Sequence, residues 1–413
     1  MELAVVPHLR HSFRSEIGAD PIRDRLAAVV EQTAVEMLDP ERILALSEDM
    51  RITRRKRVHH PGLVIDSLIL SALQRSTDTE GRWLDAQRTY EMLGGERSGA
   101  TSFVNQVRKL VPVMNRMLRR RLAKLARQAK DEQLRGRLEH FRDILIPDGC
   151  AFKVARALSG VYAGTGTDAE LKLHAIYSVG ANGCIAVERS AGSMHDSDGL
   201  HPEHWEAGAL YIWDLGYNSY DRFVEAALAD AHILQRLKDS ANPIALVSYG
   251  PTGARRELKR DDGTALRLAE ACEFGWVHHQ RILDLDVRIE DAQGRSTVAR
   301  VVCVPFGGQD RYYLTTLPRS IFTPYDVSEL YRVRWEVERF FRGWRGALRL
   351  DEVRRLQNSK SLDAAVTASL LAAALAHDLT AIANELSERQ IATDQADFPP
   401  CTDDRPASAA ASC

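Results

Sequence analysis

The sequence predicts an α/β domain carrying a β-rich insertion and preceded by a helical, basic N-terminal domain. Three observations lead there. Residues 1–140 carry apolar residues at spacings of three and four and little alternation. From about residue 143, short apolar runs sit between turn signals, the pattern of strands joined by loops and helices. The 413 residues are long enough for two or three domains.

The net charge of −2 hides an asymmetry. About +6 falls on residues 1–140 and about −8 on the remainder. RITRRKR (Arg51 to Arg57, with Arg54, Arg55, Lys56 and Arg57) and RRRLAKLARQAK (Arg119 to Lys130) concentrate the positive charge. Each run fits a solvated helix surface. Together, in one half of the chain, they also fit phosphate neutralisation on nucleic acid. The six cysteines form no CxxC pair, which argues against a disulfide framework or a zinc site. Ala364 to Leu379 is the most apolar stretch, but His377 and Asp378 break it, so the expectation is a cytoplasmic protein.

In chain order, VIDSLILSAL and MNRMLRRRLAKLARQ read as helices, separated by a break at Leu93–Gly99. DILIPDG, AELKLHAIYSVG, GCIAVERSAG, ALYIWDLGY and NPIALVSYG read as strands or strand-to-loop junctions. YDRFVEAALADAHILQRLKDS reads as one long helix. Residues about 250–318 form the insertion, with DAQGR as a hairpin turn. Helices follow at about 324–349 and 361–388, giving an α/β domain over 141–390. Residues 391–413, with FPP and DDRP, read as a disordered tail.

TPYD (Thr323 to Asp326) is a helix start with a capping-box pattern and Pro at the first helical position. At 100° per residue, Tyr331, Arg334, Glu338 and Arg345 fall in one stripe bordering the apolar face. Glu336 points away from it. Asp148 closes the apolar run ILIP and Asp214 closes ALYIW, each with a glycine just beyond. Carboxylates at strand ends sit where α/β sheets form ligand sites. One such Asp is commonplace in a turn. Three together would repel unless hard cations neutralised them, and two Mg²⁺ ions would suit phosphodiester chemistry.

These motifs resemble the DDE transposases of bacterial insertion sequences, in the IS-four-like group with the signature Tyr-x2-Arg-x3-Glu-x6-Lys. The run here is Tyr331, Arg334, Glu338 and Arg345, with Arg in place of the final Lys. IPDGC resembles the family's first Asp-Gly motif, and IWDLGY its second. The resemblance covers about residues 143–380 and implies an RNase H-like catalytic domain. It also implies Mg²⁺-dependent cleavage and strand transfer at element ends. Asp148, Asp214 and Glu338 would then bind two Mg²⁺ ions (Mn²⁺ substituting). Tyr331, Arg334 and Arg345 would contact DNA, with Arg345 offering a fork where Lys offers a point charge. The partners implied are double-stranded DNA at terminal inverted repeats and a second copy of the chain. Two alternatives stay open: a catalytically silent DNA-binding regulator or decayed transposase, and a nuclease without strand transfer.

Other polar groups compete less well. HDSDGLHPEHW (His195 to Trp205) reads as a polar loop rather than a metal cluster, with a place beside the DNA groove as its functional alternative. Lys172 and His174 share one face of a strand near Asp148, where phosphate contact is a weak expectation. His278 and His279 read as a cross-strand pair and Trp276 as a packed hairpin aromatic. PTGARRELKR reads as a basic loop.

Overall fold

A computed structural model of the protein describes residues 38–53, 59–73, 81–131, 134, 136–199, 205–238, 240–250, 253–273, 282–307, 309–347 and 353–397. The chain divides into two compact units. One comprises residues 1–75, 83–106 and 371–413; the other comprises 76–82 and 107–370.

The first unit is helical where described. Helix α1 (Pro40–Asp49) starts where Asp39 accepts from the backbone N–H of Glu41 and Arg42. Helix α2 (Pro61–Leu73) is buried almost all round. Its Gly62 lies against Pro40, where a Cβ would stand 2.2 Å from the Pro40 carbonyl oxygen. Helices α3 (Arg82–Met92) and α4 (Ala100–Asp131) flank the break expected at Leu93–Gly99, and from residue 107 on α4 belongs to the second unit. Along α4, Leu118, Leu122, Leu125 and Ala129 are buried, while Arg119, Arg120, Lys124 and Arg127 are exposed. The basic run therefore lies along the exposed side of an amphipathic helix.

The second unit is built on a mixed sheet with the strand order β3-β2-β1-β4-β5-β11-β10-β9-β6-β7. Its first five strands are β1 (Ile144–Val154), β2 (Ala169–Ser178), β3 (Gly183–Ala191), β4 (Leu210–Trp213) and β5 (His232–Arg236). β1, β2 and β3 form an antiparallel meander, whereas β4 pairs parallel with both β1 and β5. A parallel strand covered on both faces needs apolar residues throughout, and all four residues of β4 are fully buried. Helix α5 (Tyr220–Leu228) returns the chain from β4 to β5 and packs Phe223 and Val224 into the core beside Trp213 and Ile233.

That crossover corrects one expectation. YDRFVEAALADAHILQRLKDS is a short helix followed by a strand, not one helix. The chain turns at Asp230 with φ 57°, and HILQR then fills the sheet position between β4 and β11. Burial between two strands overrides a helical periodicity that continues through the turn.

The insertion adds β6 (Ile244–Tyr249), β7 (Arg255–Glu257), β8 (Leu266–Arg267), α6 (Leu268–Glu273), β9 (Leu283–Glu290), β10 (Ser296–Phe306) and β11 (Gln309–Thr315). These strands extend the main sheet, because β11 pairs antiparallel with β5. The β9–β10 turn falls at DAQGR as expected, with Gly294 at φ 79°. The run read as a basic loop contributes the short edge strand β7, whose residues are exposed. Trp276, His278 and His279 lie outside the described residues.

Helices α7 (Pro324–Tyr331), α8 (Trp335–Ala347) and α9 (Ser359–Asp397) complete the chain. α9 is described through Asp397, beyond the start expected for the tail. Its Ser359–Thr380 part is long and apolar enough to cross a membrane by length and composition, and 67% of that apolar stretch is buried inside the protein. Among the described residues, Cys150, Cys184, Cys272 and Cys303 form no disulfide.

Candidate active site

β1 and β4 part company early. They pair only at Ile144 with Leu210 and Leu145 with Tyr211, while β1 stays paired to β2 as far as Val154. Asp148 was expected just past a strand end. It lies within β1, opposite Ala175, because the β2 ladder continues after the β4 ladder stops. Asp214 does follow the end of β4, and opens a 3₁₀ turn, Leu215–Tyr217. Both aspartates thus stand where two parallel strands separate.

The third carboxylate arrives on α8. Thr323 and Asp326 form the reciprocal capping box that the sequence predicts, with Pro324 in the first turn. The expected continuous helix is interrupted by a 3₁₀ turn at Arg332–Arg334, which tightens the coil just before Glu338. Of the predicted apolar face, Leu330 and Val337 are buried. Phe341 is buried as well, while Phe340 is partly exposed and packs on Tyr177.

Arg334 organises the group. Its Nη2 donates to Glu338 Oε1 at 2.6 Å, and its Nη1 lies 3.8 Å from Asp214 Oδ2. Tyr331, buried in the core, donates its hydroxyl to Asp214 Oδ1 at 3.3 Å. Asp148 also feels the Arg334 charge. Only 12% of the Arg334 side chain is exposed, against 43% for Asp214 and 33% for Glu338. Burial opposes the Arg334 charge, but Asp214, Tyr331 and Glu338 outweigh it and its pKa rises. Burial likewise pushes the Tyr331 phenol up, and Asp214 adds to it.

Asp148 is strongly perturbed. Burial pushes its carboxyl up to about 6, and the charges of Asp214 and Asp196 add to the rise. The Gly149 N–H, which it accepts at 2.8 Å, and Arg334 pull the other way without winning. Glu336 stands apart, in a partly exposed pair with Arg339 at 2.9 Å. The helix phase had separated the two glutamates in this sense.

Sequence reasoning set aside a fourth acid. Asp196, in the segment read as a polar loop, lies against both aspartate motifs. Its Oδ1 is 2.6 Å from where a Cβ on Gly149 would stand, and its Oδ2 is 3.0 Å from the corresponding point on Gly216. The two glycines were expected to ease turning and substrate approach, yet the space they leave is filled by Asp196. Lys172 is turned inward: its Nζ bonds the Met194 carbonyl at 2.7 Å and meets Asp196 at 3.1 Å. His174 is buried against Ser190 at 2.8 Å. Neither presents itself to a phosphate. The only sequence signal for Asp196 was its place just before the Asp214 strand.

Arg54, Arg55, Lys56 and Arg57 lie outside the described residues, as do His201 and His204. Arg345 lies on the described backbone of α8, and its side chain is not described.

A pair of divalent cations fits this donor set in chemistry and charge. The ligands are oxygen only, as Mg²⁺ prefers, and Arg334 alone balances several carboxylates. The Asp148 carboxyl is raised chiefly by burial, with the charges of Asp214 and Asp196 adding to it. The arrangement is that of acids gathered round a guanidinium, not a closed chelate. Among the described residues, no group of three acidic, His or Cys side chains is placed to hold an ion.

The family model described as transposase DDE domain matches residues 139–376, and the chain belongs to that family. No curated protein matches the chain. Among solved structures, the piggyBac transposase synaptic complex with hairpin DNA is similar with 8% identity and a TM-score of 0.39. The match covers 91% of this chain and 83% of that one.

Proposed function

We propose that the protein is a cut-and-paste DNA transposase of the insertion-sequence type, working at the carboxylates around Arg334. The observation that carries this is the convergence of Asp148, Asp214 and Glu338 from three distant parts of the chain onto one nearly buried guanidinium. The strand order β3-β2-β1-β4-β5, antiparallel for three strands and parallel for the next two pairings, supports an RNase H-like domain.

In this reading Asp148, Asp214 and Glu338 hold two Mg²⁺ ions, with Mn²⁺ able to replace them. Bound there, the cations would activate an attacking oxygen and stabilise the leaving oxygen of a phosphodiester. Tyr331 fixes the Asp214 carboxylate through its hydroxyl. Arg334 balances the charge of Asp214 and Glu338, and its guanidinium fork would suit a DNA phosphate. Arg345, farther along α8, would contact the same strand. The exposed arginines of α4 and the 54–57 run would neutralise phosphates at terminal inverted repeats. The chain would act as a homodimer on paired ends, in the cytoplasm at the nucleoid.

Labelled element-end DNA tests this directly. Asp148→Asn, Asp214→Asn and Glu338→Gln should each lower cleavage about a thousandfold or more, since metal charge stabilisation supplies several kcal/mol. DNA binding should survive in all three. Wild-type cleavage by any of them would end the assignment, and strand-transfer products separate a transposase from a plain nuclease.

A further inference from the structure

We propose, building on the transposase reading, that Asp196 is a positioning residue that spaces Asp148 and Asp214 for cation binding, with Lys172 as its anchor. The geometry is specific. Each oxygen of one carboxylate lies against the backbone of a different aspartate motif. Oδ1 is 2.6 Å from the Cβ position of Gly149, next to Asp148, and Oδ2 is 3.0 Å from that of Gly216, two residues after Asp214. Real Cβ atoms do not tolerate the first distance, so a side chain at Gly149 must displace Asp196.

The loop that carries Asp196 is itself fastened to the sheet. Lys172 on β2 bonds the Met194 carbonyl and pairs with Asp196. Ser193 N–H donates to the Ala163 carbonyl at 2.9 Å. Gly199, at the end of the same turn, lies flat on His174, where a Cβ would be 2.4 Å from Nδ1. His174 in turn pairs with Gly149 across the β1–β2 ladder. Lys172 and His174, two residues apart on one strand face, therefore seat the turn that wedges Asp196 between β1 and the end of β4. β1 and β4 share no ladder at this level, so backbone bonding between them does not set their separation. Asp196 fills that role. Its charge is balanced by Lys172, which suits a spacer rather than an ion ligand.

A double-mutant cycle on the full-length chain tests the wedge, with Mn²⁺ affinity by titration calorimetry as the readout and thermal melting alongside. Removing a residue that orients cation ligands typically weakens binding by about 10–100-fold. Gly149→Ala and Asp196→Ala should each fall in that range, and Lys172→Met should match Asp196→Ala. The double variant Gly149→Ala/Asp196→Ala should bind no worse than Asp196→Ala alone, because removing the carboxylate makes room for the methyl group. Losses that multiply in the double variant, or an Asp196→Ala chain that binds Mn²⁺ like the wild type, would overturn the proposal. If Gly149→Ala does not fold, recovery of a melting transition in the double variant supports the clash and its absence refutes it. A wild-type chain that neither binds Mn²⁺ nor cuts DNA would defeat the transposase reading. The same cycle in melting temperature would still decide whether Asp196 occupies the space beside Gly149.

Discussion

Two clusters in this protein mix aspartates with arginines, and they are built to opposite rules. In the insertion, Arg300 makes a two-pronged pair with Asp284 (2.9 and 2.7 Å) and also donates to the carbonyls of Leu317 and Phe322. Arg319 joins Asp284 to Asp286, and Tyr249 donates to Asp286. Two acids meet two bases, and Arg300 and Asp284 are almost wholly buried. Around Arg334, Asp214 and Glu338 share one base, Asp148 lies within reach of its charge, the acids are partly exposed, and burial holds Asp148 far from its ordinary ionisation. A buried charge without a partner is costly, so a balanced buried network is structural. The surplus of negative charge around Arg334, left partly open to solvent, is what the proposed function would use to take a cation.

The sharpest way to break this comparison is to make the same change in both clusters. Arg300→Leu leaves a buried Asp284 with only Arg319 and should cost about 3–5 kcal/mol in urea unfolding. Arg334→Leu should cost less than half of that, because Asp214 and Glu338 reach water, while abolishing DNA cleavage. Equal unfolding losses would show that both clusters serve the fold alone.

A smaller effect follows from Asp148. Its folded pKa of about 6 lies above the ordinary 3.8, so the folded state holds the proton more tightly than the unfolded one. Stability therefore falls as pH rises from about 4 to about 6, then levels off. Asp148→Asn, neutral throughout, should gain up to about 3 kcal/mol over the wild type at neutral pH without divalent cations. That gain should fade as pH drops below about 4. A gain that is independent of pH would rule out charge burial as its cause. The smallest effect expected is at Glu336: Glu336→Gln breaks only a partly exposed pair with Arg339 and should change stability by about 0.5 kcal/mol or less. Cleavage should be unchanged, and a dead Glu336→Gln enzyme would mean that the two glutamates had been assigned the wrong way round.

Legibility followed the range of the interactions. The capping box at Thr323, the DAQGR turn and the separation of Glu336 from Glu338 depend on residues a few positions apart, and all were readable in advance. The strand status of HILQR and the mid-strand position of Asp148 were not. Each depends on which strand lies alongside, and no local pattern encodes a neighbour that arrives from far along the chain. Asp196 was missed for the same reason. A turn of mixed polar residues looks solvated until the sheet beneath it supplies Lys172 and His174.

By itself, then, the amino-acid order determined the element types, the basic N-terminal half and the three acids worth bringing together, because helix phase, caps and turns are local chemistry. Tertiary structure alone decided that the acids gather round Arg334, and that a fourth carboxylate fills the gap between β1 and β4. The distances that matter there join residues far apart in the chain, and only packing sets them.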